Sequence, residues 1–517
     1  MPGKHYMVDT TPKINQILAM IGKEQYFTIN RARQYGKTTT LHLLELALPK
    51  LGYECAFISF EGIGDEPFES AEAFCPVLLR QIARYVEKRN PESTTIWRND
   101  SITTFEALEE WIAKNCKDKK FVLMIDEVDK TSNNQVFLRF VGVLRNLYLR
   151  RGGEESITFQ SVILAGVYDI KNLKVKLAQA GQYTLAEGES RINSPWNIAV
   201  EFNIDMSFSA PEIATMLNEY ESDHHTGMDI KAISEEIYYY TSGYPFLVSR
   251  ICKAIDEDFE KKWSLDNIQL SIKELMLTDN VPLFTDMMHK IEDNKELKDL
   301  LYKTIVQGES YEYSTANPAM QLGVMFGILA KKDKMLSIGN KIFETYLCDY
   351  FISINRTSAK KNIAQARVSE IIENGVFNME LCLKKFAQHY YELYNESRAK
   401  FLEDECRILF LTYLRPLING WGFYHIESET RDNERMDIVV DYVPEQFILE
   451  LKIWRGDSAH KKAYEQLGKY LDSKGKDTGY LLTFDFRHKN TANRTSTRKK
   501  AVKWIKWQDK KIFDVMV

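Results

Sequence analysis

Paired cysteines, long apolar runs and low-complexity tracts are all missing from this sequence. Its seven cysteines are scattered over 517 residues without a C-x-x-C pair. That spacing argues against a zinc site or a disulfide framework and is typical of reduced thiols in a cytoplasmic protein. No run approaches the roughly 18 apolar residues of a membrane span. The first residues show no apolar run behind a basic region, so we expect no signal peptide.

The composition that remains is typical of a globular protein. Hydrophobic residues make up 44% and charged residues 27% of the chain, which excludes the fibrous and the disordered classes. A chain of 517 residues is too long for one hydrophobic core, so the sequence predicts several domains.

The net charge of -5 conceals a basic carboxyl-terminal part. Residues 381–517 contain 25 Lys and Arg against 20 Asp and Glu, whereas residues 1–380 contain 43 against 53. The excess is densest at 487–511, where ten basic residues accompany one acid and two tryptophans, Trp504 and Trp507. Such a segment suits a phosphate backbone with stacked bases. A solvated basic helix at the end of the chain is the alternative.

Residues 25–205 alternate short apolar runs with helical patterns, which is typical of βαβ units and a parallel sheet. The predicted strands are Gln25–Asn30, Cys55–Phe60, Phe121–Asp126, Ser161–Gly166 and Asn197–Ile204. Ser209, followed by Pro211 and by Glu212 at the third position, then predicts the start of a helix.

Helical patterns dominate to about residue 275 and lead into a module that resembles a winged helix. Its hairpin is predicted to pair Lys334–Ser337 with Asn340–Phe343, with the turn at Ile338 and Gly339. The polar stretch Thr357–Arg367 is the predicted linker to the last domain.

A phosphate-binding loop is predicted after the first strand. Residues Arg31 to Thr39 read R-A-R-Q-Y-G-K-T-T and run into an apolar helix, which is the context that such a loop requires. Gly36 lets the backbone approach phosphates, and Lys37 would reach their oxygens as a point charge. Thr38 would place its hydroxyl on Mg²⁺. The predicted nucleotide-binding residues are Gln34, Gly36, Lys37, Thr38, Thr39 and Asp126.

A second motif, from Phe121 to Glu127, is an apolar strand that ends in two carboxylates, the Walker B pattern. Asp126 would hold Mg²⁺ through water, and Glu127 would polarise the attacking water. Lys37 and Asp126 lie 89 residues apart, which suits ATPases with an extra strand between the motifs. One departure is that Arg31 occupies the position of the loop's usual first glycine. The alternative is an ordinary α/β core with an accidental Gly-Lys-Thr.

Together with Lys4–Val8 and Thr241–Arg250, these motifs resemble the AAA-like ATPases that are common in bacterial genomes and close to the archaeal-type signal-transduction ATPases. The resemblance covers roughly residues 1–350. It implies ATP and Mg²⁺ as cofactors, and an ATP-binding switch with a helical lid and a winged helix. Arg250 or Arg191 would sense the γ-phosphate; a purely structural role for each is the alternative.

The carboxyl-terminal part contains a second group of candidate site residues, which are charged residues within apolar strands. Asp437 begins one predicted strand, and Glu450 and Lys452 lie two residues apart on the next, so that these two share a face. This pattern resembles the metal site of PD-(D/E)xK nucleases, in which two carboxylates hold Mg²⁺ and the lysine orients or deprotonates water. A surface salt bridge on edge strands is the alternative. The cost of burying charge in apolar strands favours the nuclease interpretation.

Two helices supply further candidates. An upstream helix offers another acid as a metal ligand, Glu405 in preference to Glu403. Downstream, Gln466 and Tyr470 lie one helical turn apart and resemble the Gln-x-x-x-Tyr motif of many nucleases of this fold. His460 shows no metal spacing, so we expect it to be structural or solvated.

The sequence thus predicts a multidomain α/β protein. Its parts would be a P-loop ATPase core at 1–205, a helical lid at 206–275, a winged-helix-like domain at 276–356, and a nuclease-like domain with a basic tail at 368–517.

The expected function is ATP binding and hydrolysis, fast or slow, coupled to Mg²⁺-dependent cleavage of nucleic acid, with DNA favoured over RNA. The catalytic residues would be Glu127, Asp437, Glu450, Lys452 and Gln466. The alternative is an ATP-dependent switch or scaffold that binds nucleic acid or protein partners without cleavage. Self-association stays open.

Overall fold

The computed structural model describes residues 5–89, 96–128, 135–151, 157–167, 196–307, 309–358, 371–373, 376–394, 403–418, 422–427, 437–442, 445–486 and 502–517. The chain divides into two compact units. The first comprises Met1–Tyr238, Gly243–Arg250 and Met325–Gly327, and the second comprises Tyr239–Ser242, Ile251–Val324 and Ile328–Val517. Within these ranges, no helix is both long and apolar enough to cross a lipid bilayer.

A four-stranded parallel sheet forms the centre of the first unit. Its strands are β1 (Phe27–Asn30), β2 (Glu54–Ser59), β3 (Phe121–Asp126) and β4 (Ser161–Gly166), in the order β1-β4-β3-β2. The helices between and around them are α1 (Thr11–Gly22), α2 (Lys37–Ala47), α3 (Ala71–Arg89), α4 (Phe105–Cys116) and α5 (Gln135–Leu149).

Two hydrophobic cores, one on each face of this sheet, hold the unit together. On β3, Phe121 and Leu123 join a core with α3, α4 and α5, whereas Val122 and Met124 join a core with α1 and α2. All six residues of β3 are buried. A strand buried on both faces appears in the sequence as a continuous apolar run, which confirms the prediction of a parallel sheet.

The prediction of a fifth full strand at Asn197–Ile204 is wrong. One parallel bridge joins β1 to Val200. Beyond it, the backbone carbonyls of Phe202 and Ile204 accept hydrogen bonds from the guanidinium of Arg31. A side chain therefore occupies the acceptors that a longer ladder would need.

The predicted helix start at Ser209 is confirmed. The Ser209 side chain accepts the backbone N–H of Glu212, and the Glu212 carboxylate accepts the backbone N–H of Ser209 at 2.8 Å, which is a reciprocal capping box. The helices that follow are α6 (Ala210–His224), α7 (Ile230–Thr241), α8 (Pro245–Glu257) and α9 (Leu265–Leu277).

Further helices and a short hairpin follow, and they belong mainly to the second unit. They are α10 (Pro282–Glu292), α11 (Lys295–Tyr302), α12 (Pro318–Met325), β5 (Leu329–Lys332), β6 (Met335–Ile338) and α13 (Lys341–Ser358). The predicted linker, Thr357–Arg367, begins at the end of α13, and its remainder lies outside the described residues.

The predicted position of the hairpin is wrong. The observed turn lies at Asp333 and Lys334, whose φ angles of +47° and +71° suit the two-residue turns that match strand twist. Asn340 does not open a strand, because its side-chain oxygen accepts the backbone N–H of Phe343 at 2.8 Å and so caps α13.

The carboxyl-terminal part of the second unit is built around a six-stranded mixed sheet. Its strands are β9 (Gly422–Glu427), β10 (Asp437–Tyr442), β11 (Glu445–Ile453), β12 (Thr478–Phe484), β13 (Val502–Trp507) and β14 (Lys510–Met516). They lie in the order β13-β14-β12-β11-β10-β9. A two-stranded hairpin and three helices accompany it: β7 (Ile372–Glu373), β8 (Val376–Phe377), α14 (Met379–Tyr394), α15 (Glu403–Ile418) and α16 (Asp457–Ser473).

Strands β9, β10 and β11 form an antiparallel meander, whereas β11, β12 and β14 run parallel. Helix α16 joins β11 to β12, and its buried residues pack on one face of the sheet, with Leu467 and Leu471 beside Ile448 and Leu481. The carboxyl ends of three parallel strands therefore lie at one edge of the sheet.

The alternative of a basic terminal helix is wrong for residues 502–516, which form β13 and β14. In β13, Trp504 packs on Phe513, while Ile505 and Trp507 join the core beneath α16. This alternation has a period of two, which is that of a strand. Residues 487–501 lie outside the described part of the chain.

Gly243 tests how tightly the first unit is packed where α7 gives way to α8. Its φ is +70°, and a Cβ at this position would lie 1.8 Å from the carbonyl oxygen of Phe208. We expect Gly243→Ala to lower the free energy of unfolding by about 3 kcal/mol or more, because backbone strain and overlap add. Thermal and urea unfolding measure the loss.

The control for this prediction is Gly227→Ala. Gly227 has a similar φ of +75° but nothing within 4 Å of an added Cβ, so it isolates the backbone strain. That variant should lose only about 1–2 kcal/mol. Equal losses in the two variants would contradict the predicted overlap at Phe208.

Candidate functional site

The loop between β1 and α2 is closed by its own lysine. Gly36 lies at the start of α2 with a φ of +81°, a conformation that glycine adopts without strain. Lys37 is 6% exposed, and its Nζ donates to the carbonyl oxygens of Arg31 at 3.0 Å and Ala32 at 2.9 Å. The ammonium is therefore buried inside the loop, from which a loop lysine can reach phosphate oxygens.

Arg31, which replaces the usual first glycine, ties the loop to residues 202–204, at the end of the fifth predicted strand. Its guanidinium donates to the carbonyls of Asn30 at 2.8 Å, Phe202 at 3.3 Å and Ile204 at 2.9 Å. It also lies over the Phe202 ring, 5.4 Å from the centroid. Burial lowers the pKa of Arg31 from its ordinary value. Arg31 thus acts as a tether where a glycine would supply only backbone freedom.

A tyrosine from the Thr241–Arg250 motif holds the loop from another side. The Tyr244 hydroxyl donates to the carbonyl of Arg33 at 2.6 Å, and its ring meets the ring of Tyr35 edge-on at 4.7 Å. All these residues belong to the first unit. The motif that the sequence resemblance singles out is therefore in direct contact with the phosphate-loop backbone.

The carboxylate at the end of β3 meets the loop threonine. Asp126 is 2% exposed, and its carboxylate accepts the hydroxyl of Thr38 at 2.6 Å and the backbone N–H of Glu127 at 2.9 Å. Glu127 itself has a φ of +54°, in the left-handed region that disfavours side chains. Strain of this kind clusters at functional sites. The hydroxyl and carboxylate oxygens together suit a hard cation such as Mg²⁺.

An apolar cavity of about 190 Å³ opens beside the loop, lined by Gly36 and Thr39 on one side. Its remaining walls come from the amino-terminal segment, α1, α2, residues 204–208, α6 and α8: Tyr6, Met7, Val8, Thr10, Lys13, Ile14, Ile17, Tyr35, Thr40, Leu43, Ile204, Met206, Phe208, Met216, Pro245, Val248 and Ser249. Among these described lining residues, Lys13 alone is charged, and it pairs with Glu212 at 2.9 Å. The cavity therefore suits a flat apolar group.

Among the other predicted residues of the amino-terminal half, those that the structure describes are exposed or partly exposed. Gln34 sits in the loop with a φ of +57° and is exposed, as is Thr39. Arg250 lies on α8 and is partly exposed, whereas Arg191 lies outside the described residues. Sequence reasoning missed the cavity, because its walls come from seven parts of the chain, the phosphate loop included.

In the carboxyl-terminal sheet, Glu450 and Lys452 form an ion pair on β11. Glu450 is fully buried, and its Oε1 lies 2.9 Å from the Nζ of Lys452, whose side chain is 18% exposed. The alternative interpretation, a salt bridge on the protein surface, does not fit, because the Glu450 carboxylate has no exposed area. A buried carboxylate with a partly exposed cation places the positive charge toward solvent.

The remaining predicted ligands of this second site lie where only the backbone is described. Asp437 begins β10, one residue before Ile438, whose register partner is Leu449, so the backbone register puts Asp437 level with Glu450. Glu405 lies in the first turn of α15. Among the side chains that the structure describes, no three His, Cys, Asp or Glu converge to hold a metal.

Strand β14 brings a further acid, Asp514, to this face, which sequence reasoning missed. Gln466 is partly exposed on α16, and Tyr470 is buried in the core beneath it. His460, which the sequence predicts to be structural or solvated, lies with its Nε2 3.1 Å from the carboxylate of Asp514. The Tyr464 hydroxyl donates to the same oxygen at 2.7 Å, and its pKa is raised by burial and by Asp514. The one feature of the sequence that could have revealed Asp514 is its position as an acid inside the apolar run of β14.

Comparison with known proteins bears on the amino-terminal two thirds of the chain. A family model described as an AAA-like domain matches residues 6–349, which is more than half of the sequence. No curated protein matches it.

Several solved structures are similar to the chain at low identity. A Walker-type ATPase of Pyrococcus abyssi has a TM-score of 0.44 and 10% identity, over 66% of this chain and 96% of that one. The ORC2 protein of Aeropyrum pernix in its ADP form has a TM-score of 0.35 and 11% identity, over 68% and 93%. A Drosophila ORC structure with GC-rich DNA and Cdc6 has a TM-score of 0.28 and 13% identity, over 79% and 70%.

The tether of Arg31 leads to a prediction about stability. Arg31→Gly removes three hydrogen bonds and a ring contact, so we expect the free energy of unfolding to fall by about 2–4 kcal/mol. Arg33→Gly is the matched control, because it makes the same change at an exposed side chain of the same loop. Urea unfolding compares the two variants. Equal losses would mean that the tether contributes nothing beyond the backbone change.

Proposed function

We propose that this chain, which belongs to the AAA-like domain family, binds ATP at its phosphate loop and hydrolyses phosphodiester bonds of nucleic acid at its carboxyl-terminal sheet. The nucleotide state would govern the second activity. The hydrogen bond from Thr38 to the buried Asp126 carries the first part of the proposal, and the buried pair of Glu450 and Lys452 carries the second.

In the first part, the phosphate loop supplies charge and the end of β3 supplies acids. Lys37 would exchange the loop carbonyls that it now binds for phosphate oxygens. Thr38 and Asp126 fit a Mg²⁺ ion, which when bound neutralises charge on the phosphates. Glu127, directly after Asp126, would orient and polarise the attacking water.

The preference for adenine is supported by the walls of the cavity. Aromatic and aliphatic side chains surround it, among them Tyr6 and Tyr35, and such a lining suits a planar base. Guanine presents two neighbouring donors that an acid would accept. None of the described residues that line the cavity is acidic, so it offers no such match.

We expect Lys37→Ala to weaken ATP binding about 100-fold, because a charge-assisted contact to the phosphates is lost. Glu127→Gln should keep the affinity and slow hydrolysis about tenfold or more. Titration of a fluorescent ATP analogue and release of inorganic phosphate measure the two effects. Lys50→Ala, at an exposed lysine beyond α2, is the control and should match wild type. Tight binding by Lys37→Ala would contradict the assignment.

In the second part, the mixed sheet presents charged residues at the level where β10 and β11 run side by side. The register puts Asp437 level with Glu450, so both acids would reach one divalent cation. Such a cation supplies an activated water and stabilises charge on phosphorus-bound oxygens. Lys452, held by Glu450, would orient the water and offset the charge of the scissile phosphate. Glu405 and Gln466 would complete the site from α15 and α16.

We expect the purified chain to cleave single- or double-stranded DNA, or RNA, in Mg²⁺ or Mn²⁺, and to lose cleavage in EDTA. Lys452→Ala should lower the rate about 100-fold or more, because one preorganised cation is lost from the transition state. Lys476→Ala, in the turn before β12, is the matched lysine control. Gel assays with each substrate measure the rates.

The outcome also decides between the proposal and a binding module. Cleavage that persists unchanged in Lys452→Ala would assign it to another site or a contaminant. Nucleic-acid binding by wild type with no cleavage of any substrate would favour the ATP-dependent switch or scaffold.

A further inference from the structure

A second carboxylate–lysine pair lies on the same face of the carboxyl-terminal sheet as Glu450 and Lys452. In the hydrogen-bonded register, Glu450 pairs with Leu481, Leu481 pairs with Asp514, and Asp514 pairs with Lys503. Residues that are directly opposite across neighbouring strands project from one face of a sheet. The row therefore runs over four strands on the face that α16 covers.

Both pairs place the acid inside and the cation outside. Glu450 and Asp514 are each 0% exposed, whereas the side chains of Lys452 and Lys503 are 18% and 54% exposed. The Lys503 Nζ lies 3.9 Å from the Asp514 carboxylate. Because the carboxylates are buried and the ammonium groups reach solvent, the two lysines offer positive charge to an anionic ligand.

Asp514 also fixes the orientation of His460. Its carboxylate meets the His460 Nε2 at 3.1 Å and accepts the Tyr464 hydroxyl at 2.7 Å, so the imidazole is anchored through one nitrogen. The His460 side chain is 10% exposed. A carboxylate that engages one ring nitrogen of a histidine leaves the other for a ligand. Strand β13 and helix α16 thus present a lysine and a histidine that share one buried acid.

The spacing of the two pairs matches a polymeric substrate. Glu450 and Asp514 lie two strands apart, so their Cα atoms are separated by about 10 Å. A nucleic-acid strand presents a phosphate every ~3.4 Å of helix axis, and consecutive phosphates lie further apart in space than this rise, so the gap corresponds to at most about three phosphates. A strand bound at Glu450 and Lys452 would therefore have a flanking phosphate within reach of the second pair.

We propose that Lys503 and His460, held by Asp514, form a phosphate-binding subsite for the nucleic-acid strand, within about three phosphates of the Glu450–Lys452 site. The subsite rests on the proposed function, because it takes a phosphodiester backbone as its ligand. Lys503 and His460 contact the phosphate. Asp514 is a positioning residue that does not touch the strand.

The test measures binding separately from cleavage. A fluorescein-labelled oligonucleotide, as single strand and as duplex, is titrated with the full-length chain in EDTA at several NaCl concentrations between about 50 and 200 mM. Fluorescence anisotropy gives Kd at each concentration, and the slope of log Kd against log[NaCl] counts the phosphate contacts.

Lys503→Gln should raise Kd about fivefold and reduce the salt slope by about 0.7–0.9, which is the value of one phosphate contact. His460→Gln should also raise Kd. Asp514→Asn should raise Kd as well, because it frees both groups while keeping the shape of the side chain. Lys476→Gln makes the same charge change in the turn before β12 and should leave the slope unchanged. Thermal unfolding of each variant checks that it remains folded.

A slope for Lys503→Gln equal to that of wild type would overturn the subsite, and so would an equal reduction in Lys476→Gln. A purely structural role of Asp514 predicts lower melting temperatures with unchanged Kd in His460→Gln and Lys503→Gln, and this result would also overturn it. If wild type binds no oligonucleotide at all, the nucleic-acid part of the proposed function fails together with the subsite. If wild type binds and cleaves, only the subsite is in question.

Discussion

A carboxylate on a buried strand requires a partner, and both candidate sites follow from this constraint. Asp126 ends β3 with 2% exposure, and Glu450 lies on β11 with none. Left without partners, each would cost several kcal/mol of desolvation. Thr38 and the next backbone N–H supply the partners of Asp126, and Lys452 supplies that of Glu450. The groups that a ligand needs are thus oriented by the requirements of the fold itself.

The parallel sheet of the first unit is predictable because the apolar runs in the sequence coincide with strands that the folded chain buries. Strands β3 and β4 are buried on both faces, so each appears in the sequence as an apolar run with the observed bounds. The segment at 197–204 satisfies the same local pattern but forms one bridge, since Arg31 takes two of its carbonyls. Likewise, Gly339 offers a turn residue to the hairpin, yet Asp333 and Lys334 adopt the positive φ angles that close it. The local sequence pattern predicts neither the hydrogen bonds from Arg31 nor the position of the turn at Asp333 and Lys334.

The candidate sites show the same limit. Lys37, Thr38 and Asp126 are predictable because a phosphate loop and a strand end constrain one another across a parallel sheet. Asp514 is not, because its place in the Glu450 row depends on β14 pairing with β12, a contact that lies outside any sequence motif. The same holds for the cavity beside Gly36, whose lining is shared among many segments. Motifs identify groups that act locally, whereas subsites that depend on strand order need the folded chain.

Arg31 illustrates what a departure from a motif means physically. A glycine at that position gives the loop conformational freedom, which costs entropy when the loop is ordered around a ligand. The arginine binds the carbonyl of Ile204, which also lines the cavity, so one side chain joins the phosphate loop to the cavity wall. Burying its guanidinium is unfavourable, but three carbonyls and the Phe202 ring compensate for the lost water. A nucleotide that occupies both loop and cavity would then meet walls that are already ordered, which favours binding. The missing glycine would argue against nucleotide binding only if the phosphate loop had to be flexible at that position. The hydrogen bonds of Arg31 indicate that the loop is held rigid there instead.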